Sequence, residues 1–180
     1  NKLVHPDVHF VFPVATNEKI KKDPVSANFI ELWRNAVLQN AYLGLEEWQE
    51  IAETGNKQLL INTKESAEII KILSLKTYEA TYKTMIIWFP EKMNNASANK
   101  LLKILEEPPA NTLFILVAED AEQLLPTITS RVQTVKIPPV DKNDLVDFLM
   151  EHHQKPKQQA EELATLADGN VNELLKLVHQ

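Results

Sequence analysis

The sequence predicts an α/β fold in which a parallel β-sheet precedes a small helical domain. The continuous apolar run Met85–Phe89 is typical of a strand that is covered on both faces of a parallel sheet, and a second apolar run follows at Leu113–Ala118. The segment between them carries an apolar stripe at helical spacing. That stripe consists of Ala98, Leu101, Leu102 and Leu105. A strand, a helix and a second strand in this order form a right-handed βαβ unit.

The first third of the chain contributes a strand and an unusual helical stretch. Residues Val8–Val14 have the β-branched and aromatic content of a strand. Ser26 is a candidate N-cap for a helix over Ala27–Gln39, and a second short helix is predicted over Leu45–Glu53. We treat residues 15–57 as a helical insert in the sheet domain.

Three of the aromatic residues in the insert have two interpretations. Trp33, Tyr42 and Trp48 either pack against each other and the sheet, or form a surface that binds a partner. We favour packing, because large aromatic side chains are buried far more often than they serve as binding platforms.

Another helix connects the insert to the βαβ unit. After an extended segment at Leu59–Asn62, Thr63 is the expected N-cap, with Ser66 as a competitor. Glu65 is expected to add favourable charge to the first turn, and the helix is predicted to run to Tyr78.

The chain after the βαβ unit forms a last strand and then only helices. The segment Val132–Ile137 alternates enough to predict a strand, which Pro138-Pro139 ends. Asp141 is the expected N-cap of a helix over Lys142–His152, and Pro156 starts another. Gly169 permits the left-handed break before the last helix. We therefore divide the chain into a sheet domain over residues 1–138 and a helical domain over residues 139–180.

The composition excludes several classes of protein. The net charge of −6 disfavours a protein whose main task is to grip nucleic-acid phosphates. The chain has no cysteine, so disulfides and cysteine-based metal sites are excluded. No apolar run approaches the roughly 20 residues that cross a bilayer, and the first residues lack the plan of a signal peptide. We therefore expect a cytoplasmic protein with no membrane partner.

Two motifs at a characteristic spacing connect the sequence to a known family. Residues 98–109 read ANKLLKILEEPP, and residues 124–131 read LLPTITSR. They resemble the AxxLLKxLEEPP and LLPTIxSR segments of bacterial clamp-loader subunits. His5-Pro6-Asp7 resembles the HPD that precedes a strand in the same proteins. The combination is similar to the delta-prime type of DNA polymerase III subunit, and less similar to the gamma/tau type.

This resemblance implies part of an AAA+ core, related to P-loop NTPases, followed by a helical lid. In the family a phosphate-binding loop, and often a four-cysteine zinc module, precede the HPD, and a helical collar domain follows the lid. No GxxxxGK[ST] loop occurs in this sequence. We therefore expect a fragment that lacks these regions, with no cofactor or metal in residues 1–180 and with zinc only in a preceding region.

The resemblance also indicates that the catalytic groups of an ATPase are missing. The family's two carboxylates, which hold magnesium and polarise water, align with Trp88 and Phe89. Its polar sensor residue aligns near Ala118 or Glu119, and its lid arginine aligns with Asn172. Glu91 lies two residues too far along the chain, with its side chain expected to point elsewhere. We therefore expect no ATP binding or hydrolysis by this chain.

Arg131 is the candidate catalytic residue, and Ser130 is its candidate supporting residue. In the family the Ser-Arg pair lies at a subunit boundary, where the arginine reaches the γ-phosphate of ATP that the neighbouring subunit holds. The guanidinium matches phosphate through its fixed charge and planar set of donors. The alternative is that Arg131 caps a helix or pairs with a local carboxylate. Val132 replaces the usual cysteine that follows, at little expected cost.

Other polar clusters carry weaker signals. Glu106 and Glu107 are adjacent on a helix and do not face each other, so structural or docking roles are more plausible than paired catalysis. His152 and His153 lack a third ligand at useful spacing. The remaining histidines, His5, His9 and His179, are isolated in the sequence.

These expectations describe a non-hydrolysing clamp-loader subunit of DNA polymerase III without catalysis of its own. Its partners would be the gamma/tau and delta subunits and, through the assembly, the sliding clamp and primed DNA. One alternative is a gamma/tau-type ATPase, which Trp88 and Phe89 oppose. The other is a non-catalytic AAA+-like scaffold whose insert around Trp33 binds another partner.

Overall fold

A computed structural model of the chain describes residues 3–179. Two units can be distinguished by their internal contacts. The first comprises the residues up to Gln39 together with Leu45–Thr134, and the second comprises Asn40–Gly44 together with the residues from Val135 onward. This division falls four residues before the boundary expected from Pro138-Pro139.

The first unit is built on a three-stranded parallel sheet of order β1-β2-β3. The strands are β1 (Val8–Val11), β2 (Lys83–Trp88) and β3 (Thr112–Val117). Phe10 lies opposite Ile86, which lies opposite Ile115, so these three residues share one face of the sheet. The predicted α/β class and parallel sheet are confirmed, although β1 is shorter than the predicted strand.

Three helices of the first unit lie between β1 and β2, one lies between β2 and β3, and a short one follows β3. Short 3₁₀ turns at Ser26–Asn28, Pro90–Lys92 and Ala121–Gln123 precede α1, α4 and α5. The helices are α1 (Ile30–Gln39), α2 (Leu45–Ile51), α3 (Thr63–Ser74), α4 (Asn95–Glu106) and α5 (Pro126–Thr129).

One face of the sheet packs against α3 and α4 to form the main core. The buried side chains of this core include Ile69, Met85, Ile87, Leu101 and Leu105. The predicted apolar stripe of α4 therefore faces the sheet. Leu102 is only partly buried at the edge of this core, so Leu101 is the better buried of the two adjacent leucines.

The opposite face of the sheet is covered unevenly. Trp33 of α1 packs on Phe10 of β1 and on Trp88 of β2, with ring centroids 5.1 and 6.1 Å away. On β3 the same face is open, and Leu113, Ile115 and Val117 keep 47%, 40% and 46% of their surface exposed. β3 is an edge strand of the sheet in the described residues, and its side chains on this face are open.

Three predicted details of the helices are wrong for local reasons. Asn62, not Thr63, caps α3, since its side-chain oxygen accepts the backbone N–H groups of Lys64 and Glu65. Ser26 is not an N-cap, because its hydroxyl bonds to both backbone groups of Phe12. Helix α3 ends at Ser74, and Tyr78 lies exposed in the following loop.

The strand predicted over Val132–Ile137 is absent from the described structure. Its residues are exposed apart from half-buried Val132, and the segment has no strand partner for its backbone groups among residues 3–179. Because a strand needs a neighbour to satisfy its backbone hydrogen bonds, the alternating sequence alone does not create one.

The second unit contains three helices with their own apolar core. They are α6 (Lys142–His153), α7 (Lys157–Ala167) and α8 (Val171–His179), and the side chain of Asp141 caps α6 as predicted. Gly169 takes a φ of 81° and accepts a hydrogen bond from Val140 N–H at 3.1 Å. A Cβ at position 169 would lie 2.4 Å from Pro139 Cβ, so this position requires glycine.

Within residues 3–179 no helix is both long enough and apolar enough to span a membrane.

Candidate functional site

Arg131 lies just after α5, with its guanidinium in contact with the end of α4. Its Nε and Nη2 atoms lie 3.1 Å from Glu106 Oε2. Its Nη1 atom donates to the Thr127 carbonyl at 2.9 Å and to Ser130 Oγ at 3.3 Å. We name Glu106, Thr127, Ser130 and Arg131 the Arg131 corner.

The Arg131 corner stands on a short, well-anchored turn. Pro126 begins α5, where its missing N–H is harmless, and Ile128 is buried in the main core. Ser130 Oγ donates to the Thr127 carbonyl at 3.2 Å while it accepts from Arg131. Ser130 thus contacts Arg131 directly, and the turn holds both residues in place.

The Arg131 corner shows both local contacts, a helix cap and a carboxylate pair, that were the alternative to a phosphate-directed role for Arg131. The arginine pairs with a local carboxylate and also bonds a carbonyl of the preceding helical turn. Yet 29% of the Arg131 side chain and 59% of the Glu106 side chain remain exposed. The position of Glu106 was missed in the sequence, because the two residues lie 25 positions apart.

At the carboxyl end of the sheet, aromatic side chains occupy the positions that were aligned with catalytic carboxylates. The Trp88 and Phe89 rings meet edge to face, with centroids 4.6 Å apart. Phe89 is buried and adopts a left-handed φ of 54°. Trp33 packs on the other side of Trp88. We name Trp33, Trp88 and Phe89 the aromatic edge.

Glu91 follows the aromatic edge and has a structural contact. Its Oε1 atom accepts the backbone N–H of Glu119 at 3.0 Å, while its Oε2 atom is buried without a hydrogen-bond partner in the described chain. The carboxylate therefore holds the loop that follows β3. Ala118, half-buried at the end of β3, offers no polar group there.

The described residues 3–179 contain no group of three His, Asp or Glu side chains that could hold a metal ion.

A profile of the family described as "DNA polymerase III, delta subunit" matches residues 1–141. The chain belongs to this DNA polymerase III delta subunit family. The resemblance indicated by the two motifs is thus confirmed.

Curated relatives of this delta-family chain include several subunits of DNA polymerase III. It is 37% identical to the delta-prime subunit of Bacillus subtilis over 99 residues, which cover 55% of this chain and 30% of the relative. It is 31% identical to the tau subunit of the same organism over 105 residues, which cover 56% of this chain and 19% of the relative. The chain spans about a third or less of the length of these relatives.

A solved structure supports the same fold. A DNA polymerase III gamma subunit-related protein of Thermotoga maritima matches with a TM-score of 0.50 and 29% identity. The match covers 67% of this chain and 38% of that protein. The delta-family chain is therefore similar in sequence to both delta-prime and gamma/tau subunits, and only its site residues can discriminate between the two types.

Asp7, in the HPD motif, is a buried anchor at the amino end of the sheet. Its carboxylate accepts three backbone N–H groups, from Tyr78, Glu79 and Ala80, at 2.6 to 2.9 Å. The hydrogen bonds from Ala80 and Glu79 hold the pKa of Asp7 down at about 2. Asp7 thus fixes the loop between α3 and β2 in the delta-family chain, a role that the motif alone did not indicate.

Lys83, the first residue of β2, caps the carboxyl end of α3. Its buried ammonium donates to the Ile72 carbonyl at 2.9 Å and also to the Leu75 carbonyl. These carbonyls belong to the carboxyl end of the helix, where a cation is favourable. Burial, followed by the charge of Lys83, lowers the pKa of nearby His9.

Glu65 does not play the role expected from its place in the first turn of α3. It is only 4% exposed, and its Oε2 atom accepts the Ser26 backbone N–H at 2.6 Å. Burial raises the pKa of Glu65 to about 7, against the opposing effect of the Ser26 hydrogen bonds. A carboxyl group in this environment is partly protonated near neutral pH, so it adds little charge to the helix terminus.

The histidines are less isolated than the sequence indicated. The rings of His153 and His179 lie with their centroids 6.3 Å apart, and Phe148 packs on both His152 and His153. Asn172, which the resemblance aligns with the family's lid arginine, lies in the first turn of α8.

Of the predicted site residues, the structure brings Ser130 and Arg131 together, with Glu106 as a further partner of Arg131.

Proposed function

We propose that this delta-family chain belongs to a clamp-loader subunit that does not hydrolyse ATP and supplies Arg131 to a neighbouring ATPase subunit. The observation that carries the proposal is the aromatic edge. An indole and a phenyl ring can neither hold magnesium nor polarise water, the two tasks of the family's carboxylates at these positions. In a subunit without its own chemistry, a surface arginine directed at phosphate serves a nucleotide held by another subunit.

The Arg131 corner supports the second half of this proposal. Its guanidinium is partly exposed and fixed by contacts within its own turn, which suits a residue that must meet a ligand from outside. An arginine supplied in trans is worth roughly 10³–10⁵ in rate in related phosphoryl-transfer systems. The assembly proposed for this function contains gamma/tau and delta subunits, with the sliding clamp and primed DNA as its substrates.

A gamma/tau-type ATPase is the second candidate, and the similarity to the tau subunit of Bacillus subtilis favours it. Such an ATPase requires carboxylates at the end of β2, where this chain has Trp88 and Phe89 instead. The scaffold alternative loses its main support, because Trp33 and Trp48 are buried in packing contacts. Tyr42 is exposed, contrary to the packing expected for it.

The nucleotide half of the proposal is tested by calorimetric titration of the chain with Mg-ATP. We expect no saturable heat up to about millimolar nucleotide, which corresponds to a binding free energy weaker than about −4 kcal/mol. Micromolar binding with a defined stoichiometry would contradict the proposal. The arginine half is tested by steady-state ATP hydrolysis in the reconstituted assembly with Arg131→Ala and Arg131→Lys, with complex formation measured separately.

A further inference from the structure

The hydrogen-bonding capacity of the Arg131 guanidinium is already largely occupied within the chain. Nε and Nη2 form the edge with which arginine grips two oxygens of one phosphate or carboxylate group. In the Arg131 corner this edge faces Glu106 Oε2, with both nitrogens at 3.1 Å. A phosphate that uses the same edge must therefore replace the Glu106 carboxylate.

The other contacts of Arg131 are of a different kind. Thr127 and Ser130 lie in the same turn, and they bind Nη1 rather than the Nε–Nη2 edge. They can persist while the edge changes its partner. Glu106 comes from the end of another helix, and most of its side chain is exposed, so it is free to rotate away.

The spacing between Glu106 and Arg131 is fixed by the main core. Leu105, next to Glu106, and Ile128, three residues before Arg131, are both buried in that core. The carboxylate therefore stays within reach of the guanidinium when no other anion is present. After an anion leaves, the same pair can form again.

We propose that Glu106 masks Arg131, holding its Nε–Nη2 edge until a nucleotide phosphate displaces the carboxylate. This inference rests on the proposed function of Arg131 and adds its regulation. A partly exposed ion pair of this kind favours the closed arrangement by a factor of roughly 1.4 to 5. The mask is thus weak enough for a multiply charged phosphate to displace and strong enough to reduce contact with stray anions.

Two features of the sequence make the mask directly measurable. The chain has two arginines, Arg34 and Arg131, so a ¹⁵N spectrum of arginine Nε–H groups contains two side-chain signals. The Arg34 Nε is buried without a hydrogen-bond partner in the described chain and serves as an internal reference. Glu107 is exposed, adjacent to Glu106, and shares no hydrogen bond or ion pair with Arg131 in residues 3–179, so Glu107→Gln is a matched control.

The experiment compares the whole chain with its Glu106→Gln and Glu107→Gln variants by titration with inorganic pyrophosphate. Glu106→Gln should shift the Arg131 Nε–H signal, speed its exchange with water, and raise the pyrophosphate affinity at Arg131 roughly 1.4- to 5-fold. Glu107→Gln should change none of these, and neither variant should change the Arg34 signal. An Arg131 signal and affinity that are the same in both variants would overturn the proposal.

The complete assembly separates this inference from the proposed function. In steady-state hydrolysis, Glu106→Gln should lower the nucleotide concentration for half-maximal turnover, and it should have no effect when Arg131→Ala is also present. If Arg131→Ala leaves turnover unchanged, the proposed function fails, and the pyrophosphate titration still decides whether Glu106 masks Arg131. If Glu106→Gln leaves the titration unchanged while Arg131→Ala abolishes turnover, only the mask is wrong.

Discussion

The aromatic edge and the Arg131 corner lie in the same unit and use opposite chemistry. At the aromatic edge, rings replace polar groups, and Trp33 and Phe89 are buried. At the Arg131 corner, charged and hydroxyl groups contact each other on the surface, with more than half of Glu106 exposed. One region is therefore built for packing and the other for polar contacts that can be exchanged.

This difference bears on stability. The rings at the end of β2 bury a large apolar surface and so are expected to stabilise the fold. The Arg131 corner contributes little to stability, since exposed ion pairs are worth only about 0–1 kcal/mol. Substitutions in the two regions should therefore separate effects on folding from effects on activity.

The largest expected effect is that of Trp33→Ala at the aromatic edge. Trp33 is 6% exposed and contacts Phe10, Phe12 and Trp88, so its truncation should cost about 3–5 kcal/mol in the free energy of unfolding. Urea denaturation measures this cost. Trp33→Phe is the matched control and should cost much less, because the Trp33 Nε1 atom has no hydrogen-bond partner to lose in the described chain. Equal costs for the two variants would show that ring packing does not explain the aromatic edge.

The next effect tests the core that supports both regions. Leu101→Ala should lower the free energy of unfolding by about 2–5 kcal/mol, because Leu101 is fully buried where α4 meets the sheet. The adjacent Leu102→Ala should cost clearly less, since Leu102 is only partly buried. Chemical denaturation of the two variants side by side provides the comparison, and the reverse order would mean that α4 presents a different face to the sheet.

A third prediction contrasts a buried carboxyl group with the exposed one of the Arg131 corner. The pKa of Glu65 is raised from 4.5 to about 7, so the folded state binds its proton more tightly than the unfolded state does. This contribution to stability is complete below about pH 4.5 and is lost as the pH rises through about 7. Relative to Glu65→Gln, the wild type should lose up to roughly 3 kcal/mol across this range.

Thermal or urea unfolding from about pH 5 to about pH 8 measures the difference, in a range where Asp7 stays ionised in both states. A constant difference between wild type and Glu65→Gln over the whole range would contradict the burial argument.

Periodicity and turn residues predicted most of the fold but not the contacts that join distant segments. The apolar stripe of α4, the cap at Asp141 and the break at Gly169 depend on neighbouring residues, and each appears in the structure. The strand at 132–137 failed because strand formation depends on a partner that the local sequence does not contain.

The candidate site shows the same limit. The motif singles out Arg131 and Ser130, but it does not reveal that Glu106, 25 positions before Arg131, is its partner in space. Glu65 was likewise misjudged, since its burial depends on the Ser26 segment, 39 positions away. Local patterns thus predict the helix, strand or turn on which a residue lies. The charge state and the partners of its side chain depend on the assembled fold.

The most direct test of the central claim is single-turnover ATP hydrolysis by the complete assembly on primed DNA, with wild type, Arg131→Ala and Arg131→Lys compared. A single turnover isolates the chemical step from product release. In Arg131→Ala, ATP hydrolysis at the nucleotide site that receives Arg131 should slow by roughly 10³-fold or more. The fast phase of ATP hydrolysis should therefore lose the part of its amplitude that this site contributes. Arg131→Lys should resemble Arg131→Ala, because it keeps the charge and loses the planar set of donors. An unchanged fast phase in an intact Arg131→Ala assembly would contradict the claim and leave Arg131 with a structural role.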